Sequence, residues 1–303
     1  MKKKIFNIIC CIIIFLLTCL SFIFSNEVST SLYETIIFLF KVILPSLFPF
    51  MIFVNFILLS NCIDYLSIIF KPLGKIFNIT GYGISVIIAS ILGGFPYSAI
   101  LVENFVRNKK ISLKEGKRLA LYMFFPSFSF LYNNLYQKDI FIITSIISLY
   151  LTSFIFLYFS KFKYNEQLKS KINIQINNKF DDMYFDVMNK TFQSIFSIAF
   201  SIIFFNILSS LLSSFITNKF ILNLISGVFE FSKTSIVLIN KIDKSFIDYI
   251  LLNFILSFSS LSIIIQSFYH LKNIKIGIKK LLISRLAISL VSSILFTIIY
   301  IIC

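Results

Sequence analysis

Glu230 and Lys233 stand three residues apart inside an otherwise apolar stretch, and Glu103 interrupts another. Ionisable groups are expensive within a bilayer, so they face a cavity or a partner. At i, i+3 on one helix the pair is spaced to neutralise itself, and a role in binding substrate or carrying a proton is the competing reading. Glu103 abuts a basic loop and reads as an interfacial residue. Asn104, Asn253 and Gln266 add uncharged donors suited to a polar or carboxylate ligand. Hydrogen bonding between helices is the favoured reading for Asn253, and for Gln266 the two readings stand even.

These polar groups lie in or beside two membrane-length apolar stretches that break at their midpoints. Residues 83–106 break at Gly93-Gly94-Phe95-Pro96-Tyr97-Ser98-Ala99, and residues 246–271 at Ser257-Phe258-Ser259-Ser260-Leu261-Ser262. Unpaired backbone in hydrocarbon costs several kcal/mol per group, so a broken helix survives at that depth only where protein or a watery cavity covers it. Paired breaks of this kind mark binding sites in secondary carriers. Gly94, Pro96 and Ser98 on one side, with Ser259, Ser260 and Gln266 on the other, are the residues placed to shape such a site, joined by Asn104, Glu230 and Lys233.

Other chemistries find little footing. The chain lacks G-x-x-x-x-G-K-[ST] and G-x-S-x-G, and its one histidine, His270, abuts a basic loop. Cys10, Cys11, Cys19, Cys62 and Cys303 have no C-x-x-C spacing and read as small hydrophobes. No enzymatic role, cofactor or metal is expected.

The elements that must position the candidate residues are membrane helices. The chain is 58% hydrophobic and 14% charged, with several runs reaching the roughly 20 apolar residues needed to cross a core of about 30 Å. A net charge of +15 sits mainly in short loops between those runs, which is the positive-inside pattern and excludes nucleic acid as a partner. Lys2-Lys3-Lys4 ahead of an apolar run to Phe24, with no cleavage site, reads as an uncleaved signal anchor. A loop containing Glu27 and Glu34 follows, then a span over 36–60 that Pro45 and Pro49 kink or split.

The sequence divides into residues 1–30, an N-terminal signal-anchor helix; 31–160, a first membrane half; 161–190, a hydrophilic cytoplasmic connector; and 191–303, a second membrane half. The expected fold is an all-α polytopic membrane protein of two similar halves, each with a broken or re-entrant helix pair. Within them fall a basic loop from Arg107 to Arg118, an element over 119–136 with Pro126-Ser127 at its centre, and a span over 140–160. A span over 191–217, an element over 220–239 broken around Gly227 and Lys233, and a span over 281–302 follow. Basic residues flank both broken stretches, so a re-entrant course for each returns its flanks to the cytoplasm, whereas an inverted repeat places one loop outside. The expected partners are a small anionic substrate and the lipid bilayer, with a homo-oligomer left open.

LPSLFPF (Leu44 to Phe50), KPLGKIFNITGYG (Lys71 to Gly83) and GGFPYSA (Gly93 to Ala99) occur in this order. So ordered, they resemble the sporulation integral membrane proteins of the YlbJ type, which carry paired nucleoside-recognition or Gate domains. Gly227-Val228-Phe229-Glu230 looks like the family's G-x-x-E element, and Ser259 through Gln266 like its G-G-L-S-V-x-x-Q turn, with serines in place of the glycine pair. Phe95 and Ser98 likewise replace the first turn's Tyr and Gly. The resemblance implies Gate-like halves and a protein of the outer forespore membrane, or the cell membrane of a spore-former, that moves dipicolinate. A nucleoside-like permease and a non-transporting scaffold for spore envelope assembly are the alternatives.

Overall fold

The computed structural model describes residues 2–60, 62–135, 139–160 and 180–302. Among these the regular structure is all helical, as expected, and five stretches are long and apolar enough to cross a membrane, or six if a bent pair counts as one. Helix α1 (Lys2–Ile23) turns at Phe24 into α2 (Ser25–Phe38). Glu27 and Glu34 therefore lie on a helix and not in a loop. A π-helical turn, Leu39–Ile43, joins α2 to α3 (Leu44–Leu59), giving one stretch of 35 residues. Pro45 and Pro49 do not split it. The wide turn ends with the Leu44 N–H donating to Leu39 O, which frees the backbone where Pro45 removes a donor.

Two short helices, α4 (Cys62–Ile69) and α5 (Lys71–Phe77), precede α6 (Gly81–Gly93), which stands at 89° to α5. Gly94 then breaks the chain before α7 (Phe95–Arg107). Helices α6 and α7 fold back on each other: the Tyr82 and Phe105 rings lie 5.7 Å apart, at the start of one arm and the end of the other. The first broken stretch is thus a re-entrant hairpin.

The segment read as a basic loop up to Arg118 is helical from Leu113. Ser112 caps α8 (Leu113–Tyr122) by accepting the Glu115 N–H at 3.1 Å. Residues 123–127 are non-helical, α9 (Phe128–Leu135) continues, and α10 (Ile140–Ser160) returns. Residues 161–179 of the connector lie outside the described residues, and from Phe180 the chain is already helical in α11 (Phe180–Ser213). Then come α12 (Lys219–Phe229), α13 (Phe231–Ile239), α14 (Phe246–Phe258), α15 (Ser260–His270), a 3-10 turn Leu271–Ile274, and α16 (Ile278–Ile302).

The second broken stretch does not re-enter. Tyr249, near its start, bonds Asp139 at 2.6 Å ahead of α10, and Asn273, just past its end, bonds Glu103 at 2.8 Å near the opposite end of the molecule. Residues 246–274 therefore cross as a broken span of 29 residues. The second hairpin is α12–α13, which doubles back at Glu230 from the other face. The order of elements runs inverted between the two halves: hairpin α6–α7, the broken pair α8–α9 and span α10 match hairpin α12–α13, the broken pair α14–α15 and span α16.

Charge assigns the faces. Lys71, Lys75, Arg107, Lys109, Lys110 and Lys272 to Lys280 gather on one, which is cytoplasmic by the positive-inside rule. On the other face, Lys241 pairs with Asp248 at 2.6 Å and Lys244 with Asp139 at 3.8 Å.

Candidate functional site

Three of the cavities that helix α11 lines follow one another along its length, and the α2–α3 stretch lines the same three in reverse order. At the cytoplasmic end is an inner vestibule of about 310 Å3, whose walls include Asn55, Tyr97, Asn104, Arg107, Lys110, Lys190, Gln193 and His270. Midway lies a central cavity of about 30 Å3, lined by Gly94, Phe95, Ser127, Phe130, Ile198, Glu230, Phe231 and Ser232 among others. Toward the outer face opens a polar vestibule of about 470 Å3 walled by Glu27, Glu34, Asn206, Asn223, Ser226 and Lys233 among others. From Gln193 to Ser209 the helix rises about 24 Å at about 1.5 Å per residue.

Three helix breaks meet at the central cavity. Gly94 has φ +79°, and a Cβ there would come within 3.1 Å of the Ser127 backbone nitrogen and Cβ, so glycine is required both by conformation and by this close approach. The first hairpin tip therefore presses its backbone onto the 123–127 segment. From the other side comes the second tip, where Glu230 is extended (φ −144°, ψ 116°) between α12 and α13. The Phe231 ring meets Phe95 at 5.2 Å and Phe130 at 5.4 Å, both edge to face. These rings close the centre. Its volume accommodates about two waters at roughly 10–15 Å3 each.

Glu230 and Lys233 do not pair with each other. The Glu230 carboxylate is buried and caps α13, accepting the Ser232 N–H at 3.1 Å, the Ser232 hydroxyl at 2.6 Å and the Lys233 N–H at 3.0 Å. The i, i+3 rule presumes one continuous helix, and the chain is broken at Glu230. The Lys233 ammonium instead reaches Glu34 at 2.8 Å across the outer vestibule.

The remaining sequence-derived candidates are dispersed. Asn104 lines the inner vestibule and accepts from Arg107 at 3.0 Å. Pro96 lies in the first turn of α7, and the buried Ser98 hydroxyl donates to Phe95 O at 2.8 Å within the tip. Ser259 (φ +76°) and Ser260 (φ +65°) form the left-handed break of α14–α15. Gln266 donates to Ser197 O on α11 at 3.3 Å. These last three do not line the three cavities. Asn253 binds Ser145 O and Ser148 Oγ at 3.0 and 2.7 Å, joining α14 to α10.

Several residues escaped the sequence reading. Asn55 accepts the Tyr97 hydroxyl and donates to Thr191 at 2.9 Å, flooring the inner vestibule. Arg285 is buried, donates to Leu121 O at 2.8 Å and Phe124 O at 3.3 Å, and lies over the Phe124 ring, capping α8 where it breaks. A charge inside the apolar run of α16 was the signal that could have found it. Among the described residues no group of His, Cys, Asp and Glu side chains is placed to hold a metal ion. No family model matches the chain, and neither does any curated protein or solved structure.

Proposed function

We propose that this polytopic membrane protein transports a small organic anion, dipicolinate in the reading that follows from the family resemblance, across the membrane of a spore-forming cell. The observation that carries the reading is the alignment of a basic inner vestibule, a closed centre built from three helix breaks, and a polar outer vestibule along one helix. Arg107, Lys110 and Lys190 favour an anion at the inner mouth. A scaffold has no need of opposed vestibules separated by apposed hairpin tips.

A nucleoside-like substrate is the second reading, on the same family resemblance, with Glu230, the last residue of its G-x-x-E element, among the residues around the central cavity. Uptake of labelled dipicolinate and of labelled uridine into proteoliposomes separates the readings. Saturable dipicolinate uptake that excess unlabelled uridine leaves unchanged is expected. Uridine uptake alone would support the second reading, and no uptake of either would leave the scaffold.

A further inference from the structure

Both feet of the inner hairpin are tied to a single carboxylate. Asp64 on α4 is fully buried. Its Oδ1 accepts the Tyr82 phenol at 2.8 Å and pairs with the Lys110 ammonium. Tyr82 stands at the start of α6, the arm that descends into the membrane, and Lys110 follows α7, the arm that returns. The ammonium also sits 5.2 Å from the centre of the Tyr82 ring. The second oxygen, Oδ2, is buried with no hydrogen-bond partner among the described residues. Taking the cation from a buried carboxylate is costly because it leaves an uncompensated charge, so only a ligand that itself offers negative charge to Lys110 can compete for it.

Lys110 is nonetheless within reach of the vestibule. Its side chain is 21% exposed and it lines the inner cavity beside Arg107, Lys190 and Asn104. We propose that Lys110 is shared between two anions: a small dianion arriving from the cytoplasmic face takes it from Asp64 and so unties the returning foot of the hairpin. Asp64 keeps the Tyr82 phenol, so the descending foot stays anchored and the hairpin hinges about it. A neutral ligand offers no charge to compete for Lys110 and leaves the latch closed. The inference rests on the reading of the inner vestibule as an anion mouth and adds how occupancy reaches the hairpin tip.

The test uses the full chain in detergent, with dipicolinate and inorganic phosphate as separate dianion probes. Amide hydrogen exchange in wild-type protein is expected to speed up at residues 104–110 when either probe binds, and to stay constant with uridine. Asp64→Asn, which removes the competing charge, is expected to bind the probes about tenfold more tightly, and Lys110→Met about tenfold more weakly, the weight of one hydrogen bond to a charged group. Dianion binding with unchanged exchange at 104–110, or Asp64→Asn binding no more tightly than wild type, overturns the latch while leaving the anion mouth intact. Absence of any dianion binding overturns both. The wild-type exchange measurement stands even if a variant fails to fold.

Discussion

Phe95 and Phe231 meet edge to face with ring centres 5.2 Å apart, and each is the first residue beyond a hairpin tip, one hairpin rising from each face of the membrane. Two inverted hairpins touching at mid-depth give the molecule a closed centre with a vestibule on either side. On the proposed transport reading, opening either side parts one tip from the other.

The inverted arrangement predicts which loops face which side. In a cysteine-free background, single cysteines at Asn108 and Asn273 are expected to react with impermeant maleimide only from the cytoplasmic side, and one at Asp243 only from outside. Labelling of all three positions from one side would contradict the inversion.

Close packing of the first tip predicts a conformational penalty. Gly94→Ala places a Cβ 3.1 Å from Ser127 at φ +79°, ψ −170°, a backbone region essentially confined to glycine, which is expected to cost about 1–3 kcal/mol from the conformation alone. Thermal unfolding in detergent and uptake at matched abundance are both expected to fall.

The roles of Glu230 and Lys233 separate by mutation. Glu230→Ala removes a buried cap and is expected to cost about 1–2 kcal/mol, whereas Lys233→Met and Glu34→Gln disrupt a pair whose carboxylate side chain is 57% exposed and cost less than about 1 kcal/mol. A double-mutant cycle on Glu230 and Lys233 that gave strong coupling would restore the direct pair.

Arg285 predicts a stability effect at the break that ends α8. Its guanidinium satisfies two carbonyls at the α8 break, so Arg285→Met is expected to destabilise by about 1–3 kcal/mol, the cost of leaving a buried acceptor unsatisfied. Arg285→Lys is expected to rescue only in part, since one ammonium lacks the guanidinium's fork. Unfolding midpoints of the two variants check this.

Much of the fold was legible because glycine, proline and serine runs interrupt apolar stretches, and the breaks at Gly94 and Ser259 fall inside the runs that announced them. The inversion was not legible. Counting Lys241 and Lys244 as free cations argues for a cytoplasmic loop, but both are paired, Lys244 with Asp139, more than a hundred residues away in sequence. Helix α2 was hidden for a related reason: its Asn, Glu, Ser and Thr residues look like a loop until their polar face is seen to wall the outer vestibule. Spacing on one helix likewise misled for Glu230 and Lys233: the break between Gly227 and Lys233 was visible in sequence, but not that Glu230 caps the helix that restarts there.

The central claim, that the two hairpin tips must part for a substrate to pass, is tested most directly by joining them. Cysteines at Phe95 and Phe231 in a cysteine-free protein, bridged by a short thiol-reactive cross-linker with a reducible spacer, are expected to abolish dipicolinate uptake into proteoliposomes, and reduction is expected to restore it. Undiminished uptake by fully cross-linked protein would contradict the claim.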